Sequence, residues 1–306
     1  MKAKFIIVLL ITTFRWIEEP KITSKEIIIN NGAIELSGTL SYTSKDSPLV
    51  IWIHGSGNID RNGNQGTIIK ANYIQQFRER INQHQIAFFS YDKRTANKKN
   101  VPHLKATLFD DLVEDAKIVV QHLKENYTFK SIIIAGHSQG SLTGMLASEN
   151  AQKYISIAGP SQSIDQVIIG QISKQNEEFG NVAAAHFKEL KETGTIQQIN
   201  PLLSNVFAKQ NQSFLKNWMS YSPLEEIKKM TIPCLLINGT KDLQVSTKAA
   251  TELQGAIPSA QLKLIENMNH VLKHIEKDAD NLNSYYSAEY PISNQLIASI
   301  IAFIKQ

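Results

Sequence analysis

The chain has one cysteine, Cys234, in 306 residues, so an internal disulfide is excluded. Cys234 lies inside the apolar segment Ile232-Pro233-Cys234-Leu235-Leu236-Ile237, which marks it as a small core residue rather than a nucleophile. An excess of either charge is also missing. Lys and Arg number 32 against 28 Asp and Glu, for a net charge of +4. The densest basic pairs are Lys98-Lys99 and Lys228-Lys229, and nothing longer offers a nucleic-acid face. No apolar run reaches the length of a membrane-spanning helix, so no stable membrane insertion is expected. There is no internal repeat and no low-complexity tract. What remains is a composition with 42% hydrophobic and 20% charged residues, typical of a soluble globular protein. The length suffices for one α/β domain with an insertion, or for two domains.

Lys2 and Lys4 precede Phe5-Ile6-Ile7-Val8-Leu9-Leu10-Ile11. A basic start and a short apolar stretch have the layout of a secretory signal peptide. Residues 1–20 are therefore read as a signal peptide or apolar N-terminal segment, and export to the periplasm or exterior is expected. Thr12-Thr13-Phe14-Arg15-Trp16 offers no A-x-A-like cleavage site. An uncleaved anchor and a cytoplasmic location thus stay open as alternatives.

From residue 21 onward, strand-like and helix-like segments alternate. Glu26–Ile29 and Ile34–Leu40 flank Asn30-Asn31-Gly32, a hairpin with an Asn-Gly turn. Pro48–Ile53, Ile86–Tyr91, Ile132–Ala135, Tyr154–Ala158 and Ile232–Ile237 are mainly apolar, as in strands buried on both faces, and Gln261–Ile265 is a further strand. Helical spacing runs over Ala71–Gln83, Asp110–Asn126, Thr247–Leu253 and Ser293–Ile304. The alternation predicts a mostly parallel sheet with helices on both faces. It breaks between about 160 and 223, where Phe179, Val182, Phe187, Leu190, Phe207, Phe214 and Trp218 fall on helical spacing. This stretch reads as a helical insertion over the strand ends of a domain that runs over residues 21–306. Its aromatics are more simply the core of the insertion than ligand contacts.

Gly136-His137-Ser138-Gln139-Gly140 follows one of the apolar strands and precedes a helix-like run. A G-x-S-x-G between strand and helix is the pattern of a nucleophile elbow, in which a strained turn lifts the serine hydroxyl above the sheet. Such a serine needs a histidine base, and the base needs an acid to orient it. In this arrangement the acid follows a late strand and the histidine the last one. Asp242 and His270 occupy those places. His274 lies where a following helix would begin, and the side chain of His137 is expected to point away from the reaction centre. A tetrahedral oxyanion calls for two backbone N–H donors. One is expected from Gln139, after the nucleophile, and one from Ser56 in His54-Gly55-Ser56-Gly57.

These motifs together resemble the α/β-hydrolase superfamily. Within it the chain is similar to bacterial serine esterases that carry His54-Gly55-Ser56-Gly57 with Asp60-Arg61, Tyr91-Asp92-Lys93-Arg94, Gly239-Thr240-Lys241-Asp242 and Asn269-His270-Val271-Leu272-Lys273. The resemblance spans residue 26 to the C-terminus. It implies an α/β-hydrolase fold with a helical cap, cleavage of small-molecule carboxylic esters with small to medium acyl groups through an acyl-enzyme, and Ser138, Asp242 and His270 as catalytic residues. It also implies no metal and no organic cofactor. Thr95-Ala96-Asn97 follows Arg94 where such esterases carry a Gly-rich continuation, which bears on substrate preference. Asp92, Lys93 and Arg94 read more simply as an internal ion-pair network than as substrate contacts. The sequence leaves open a serine peptidase or amidase, for which Glu177-Glu178 is a candidate anchor, a thioesterase or lipase, and a non-catalytic binding protein of the same fold. It does not address oligomeric state.

Overall fold

A computed structural model describes residues 21–104 and 107–306. The basic and apolar segment read as a signal peptide lies outside the described residues. Eight strands form one sheet: β1 (Thr23–Asn31), β2 (Ile34–Tyr42), β3 (Leu49–Ile53), β4 (Ala87–Tyr91), β5 (Ile132–His137), β6 (Lys153–Ile157), β7 (Cys234–Gly239) and β8 (Gln261–Ile265), in the order β1-β2-β4-β3-β5-β6-β7-β8. The β1–β2 and β2–β4 pairs are antiparallel and all the others parallel.

The hairpin differs in one detail from its expected form. Asn31 pairs with Ile34, so the two loop residues are Gly32 and Ala33 rather than Asn31 and Gly32. Gly32 takes φ of 58°, the positive value that a two-residue hairpin loop asks of its first residue and that glycine supplies without steric cost.

Eleven α-helices are present among the described residues. They are α1 (Tyr73–Asn82), α2 (Phe109–Asn126), α3 (Gln139–Leu146), α4 (Ile164–Gln175), α5 (Glu177–Thr193), α6 (Ser204–Phe207), α7 (Lys209–Trp218), α8 (Pro223–Lys228), α9 (Thr247–Ala256), α10 (Asp280–Asn283) and α11 (Asn294–Lys305). The strand period of two sorts the central strands onto two cores. Val50, Trp52, Phe88, Ile133 and Leu235 pack with α1 and α11 through Phe77, Ile81, Leu296 and Ile300. Ile51, Phe89, Ile134 and Leu236 pack on the other face with Leu112 and Val119 of α2, Leu142 of α3 and Leu253 of α9. Covering both faces removes water from every central strand, which is why those segments are apolar without alternation.

Between β6 and β7 the chain runs through α4 to α8. Ala183, Phe187, Leu190, Phe207 and Leu215 form a separate small core there. Ile227 of α8 belongs instead to the core beneath the sheet, so α8 is part of the main helical layer. After β8 no helix starts at His274. The segment is held by isolated bridges, Met268 to His274 and Lys273 to Ile292. The loops that leave the carboxyl ends of β3, β5, β7 and β8 converge at one edge of the sheet, where open parallel sheets place their sites.

Candidate active site

Ser138 sits between β5 and α3 with φ of 54° and ψ of −120°, a conformation that L-residues seldom adopt. Holding a non-glycine residue there costs on the order of 1–3 kcal/mol. The flanking glycines explain how the turn closes. A Cβ on Gly136 would lie 2.2 Å from the Gly140 carbonyl oxygen, and one on Gly140 would lie 2.2 Å from that of Ile53. Backbone therefore packs against backbone on both sides, and Ser138 N–H donates to the Ile157 carbonyl at 2.9 Å.

Asp242 and His270 come together from the loops after β7 and β8. His270 Nδ1 lies 2.8 Å from Asp242 Oδ2, and the two side chains are 5% and 1% exposed. The other carboxylate oxygen accepts the N–H groups of Gln244 (2.8 Å) and Val245 (2.9 Å), which fixes the plane of the carboxylate. The His270 loop has its own supports. Asn269 Nδ2 donates to Ser284 Oγ (2.7 Å), Asn269 Oδ1 accepts the Lys273 N–H (3.0 Å), and the buried Lys273 ammonium reaches Gln76 Oε1 (2.6 Å) and the Tyr290 carbonyl (2.7 Å). Burial pulls the Lys273 ammonium down to about 8.

His137 corrects an expectation. Its ring does not turn away from the centre but lies 4.8 Å from that of His270. Its Nε2 is 2.8 Å from the His270 carbonyl, so Nε2 carries the proton and donates. The ring stacks on Trp52 at 5.7 Å. A peptide turn that raises Ser138 leaves its neighbour under the adjacent loop, and the loop after β8 is the one that lies there. Burial holds the His137 imidazole well below its ordinary value. His54 is likewise buried, with Nε2 on the Tyr91 carbonyl, and burial pulls it down to about 4.

The Asp92-Lys93-Arg94 run divides. Asp92 accepts from the Arg61 N–H, Nε and NH2 at 2.8, 3.1 and 2.8 Å. Arg94 grips Asp115 with Nε at 2.7 Å and NH2 at 2.8 Å, a bidentate pair. Both are the internal ion pairs expected of the run. Lys93 is not part of that network. Its ammonium donates to the Gly55 carbonyl and to Gln139 Oε1, each at 2.7 Å.

Ser138 and His270 line one cavity of about 200 Å³, together with Ser56, Tyr73, His137, Tyr285 and Tyr286. Ser56 and Gln139 also line a cavity of about 650 Å³ that runs under α7, where Phe214 and Trp218 form its apolar wall. Trp218 stacks on Phe109 of α2 at 5.3 Å, and Phe214 meets it edge-on at 6.3 Å. These two aromatics thus fill core space and face the cavity at once. Tyr285 and Tyr286 follow α10 and were not legible as site residues, because no motif or periodicity brings that segment to Ser138. Among the described residues no group of three or more His, Cys, Asp or Glu is placed to hold a metal ion, and no helix is long and apolar enough to cross a membrane.

The sheet order, the strained turn after β5 and the late acid and histidine loops define an α/β-hydrolase. The chain belongs to the BD-FAE family, whose family model matches residues 40–257. A curated relative is esterase EstD of Thermotoga maritima, 23% identical over 273 residues, covering 84% of this chain and 62% of EstD. The chain therefore spans about three fifths of that relative's length. Among solved structures, Est1E from Butyrivibrio proteoclasticus with bound ferulic acid aligns at a TM-score of 0.59 and 18% identity, covering 92% of this chain and 100% of that one. The Pyrococcus furiosus esterase Pf2001 aligns at a TM-score of 0.60 and 18% identity, covering 93% and 92%.

Proposed function

We propose that this protein is a serine-dependent carboxylic ester hydrolase that works through an acyl-enzyme. The observation that carries the reading is the pairing of His270 Nδ1 with Asp242 at 2.8 Å while His270 and the strained Ser138 line the same cavity. Asp242, held by two backbone N–H groups, keeps the proton on Nδ1 and leaves Nε2 free to accept one. In this reading Nε2 takes the Ser138 proton as Oγ attacks the ester carbonyl, then returns it to the departing alkoxide. Water repeats the cycle on the acyl-enzyme and releases the acid. The oxyanion of each tetrahedral intermediate is held by the N–H groups of Ser56 and Gln139. Gln139 opens α3, where the first-turn N–H groups have no intrahelical carbonyl to bond. Losing one such donor costs about 3 kcal/mol.

The names of the relatives support ester over amide cleavage, and the aromatic wall under α7 suits a small or medium acyl or aryl group. The test is hydrolysis of p-nitrophenyl acetate and butyrate, a matched anilide, and labelling by a fluorophosphonate. Wild type is expected to cleave the esters faster than the anilide and to carry the label on Ser138. Ser138→Ala is expected to lose on the order of 10⁴-fold or more in kcat. A labelled residue other than Ser138, or full activity in the alanine variant, overturns the reading.

A further inference from the structure

The Lys93 ammonium is 8% exposed and, like that of Lys273, meets no carboxylate among the described residues; it donates only to two neutral oxygens. Both belong to segments that carry the oxyanion donors. One is the carbonyl of Gly55, in the peptide unit whose N–H is that of Ser56. A trans peptide is planar, with C=O and N–H pointing in opposite directions. An ammonium fixed on the Gly55 carbonyl therefore aims the Ser56 N–H to the far side of that peptide. The peptide runs beside the nucleophile, since a Cβ on Gly55 would lie 3.2 Å from Ser138 Cβ. The second oxygen is Oε1 of Gln139, whose own N–H is the other donor.

We infer that Lys93 is a positioning residue of the oxyanion site, one ammonium clamping the loop after β3 to the start of α3 so that the two backbone donors stay in register. This rests on the ester-hydrolase reading above. The charge also polarises the Gly55–Ser56 peptide, which makes the Ser56 N–H a stronger donor. Lys93 itself does not touch the substrate in this role.

The surroundings make the clamp sensitive to pH. From the loop after β3, His54 faces Lys93, and burial keeps that imidazole neutral down to about 4. From α2, Asp115 faces it, but Arg94 and Asn31 already occupy that carboxylate. Asp111 of α2 pairs with Arg94, and Asp92 pairs with Arg61. The Tyr91 hydroxyl, held above its ordinary range by burial, remains protonated. Lys93 is thus left as a buried cation without a counter-ion of its own, and burial pulls it down to about 7. The clamp is charged below that value and loses its charge as pH rises through it. Lys93 therefore sets an alkaline limb of the activity profile.

The experiment is a pH profile of kcat and kcat/KM on p-nitrophenyl butyrate for wild type, Lys93→Met and Lys93→Arg, with thermal unfolding of each. Wild type is expected to show an alkaline limb that falls within about pH 6–9. Lys93→Met is expected to lose on the order of 100-fold in kcat with KM changed less than about 3-fold, and to lack the alkaline limb. Lys93→Arg, which keeps the charge, is expected to stay active at alkaline pH where wild type declines. A wild-type profile flat to pH 10, or Lys93→Met with wild-type kcat, overturns the inference while leaving the ester-hydrolase reading intact. An inactive wild type overturns both. If Lys93→Met does not fold, the wild-type and arginine profiles decide the matter alone.

Discussion

Around Ser138 backbone touches backbone, whereas in α4 to α7 side chains touch side chains. Gly136, Gly140 and Ile53 approach so closely that no Cβ fits between them, and the carboxylate of Asp242 is held by two N–H groups. The helical segment has its own core of Phe187, Leu190, Phe207 and Leu215 and meets α2 through the Phe109–Trp218 stack. The first kind of contact tolerates almost no added atom. The second tolerates exchange of one apolar group for another of similar volume. A protein built this way is rigid around Ser138 and adaptable in α4 to α7.

The largest expected effect breaks the rigid side. Asp242→Asn preserves the shape of the loop but donates a proton where His270 Nδ1 needs an acceptor. kcat is expected to fall on the order of 10⁴-fold with the melting temperature little changed. A fall below 10-fold, measured on the same ester, would move the acid to another residue.

How much of this was legible in the sequence depends on distance along the chain. The elbow was readable because its two glycines and its serine lie within five residues, so the steric demand is local. Asp242 and His270 were readable because strand order fixes where late loops emerge. His137 and Lys93 were not. His137 makes its bond to a carbonyl 133 residues away, and Lys93 to oxygens 38 and 46 residues away. A run such as Asp92-Lys93-Arg94 gives each charge several possible partners, and only packing assigned two of them to ion pairs and the third to the Gly55 carbonyl and Gln139. The hairpin turn shifted by one residue for a related reason. Both Asn31-Gly32 and Gly32-Ala33 satisfy local turn chemistry, and the β1–β2 register decides between them.

A smaller effect sharpens the comparison through acid stability. His54 and His137 are both buried and neutral under the site, while the unfolded chain takes up a proton on each below about pH 6.5. With folded values below unfolded ones, the protein is expected to be fully stable above about pH 6.5 and to lose stability as pH falls from there towards 4. His137→Phe keeps a ring on Trp52, does not titrate, and gives up the bond to the His270 carbonyl. Its unfolding temperature is expected to fall less steeply between pH 6.5 and 4.5, while its kcat at neutral pH drops on the order of 10-fold as the His270 loop loosens. Identical pH slopes for the variant and wild type would remove His137 as a source of acid sensitivity.

The smallest expected effect falls on the adaptable side. Phe214 is partly buried, lies 5.8 Å from Trp218, and lines the larger cavity beside Ser56 and Gln139. Phe214→Ala removes apolar wall without touching the elbow. At about 0.8 kcal/mol for each methylene that loses its contact, KM for a longer acyl ester is expected to rise several-fold. The acetate ester reaches less of that wall and is expected to change least. A series of p-nitrophenyl esters from acetate to octanoate, run on both proteins, reads this as a changed slope of kcat/KM with chain length. A uniform fall across the series would mean that Phe214 supports the elbow rather than the acyl group, and the division between rigid floor and adaptable roof would then not run between Gln139 and α7.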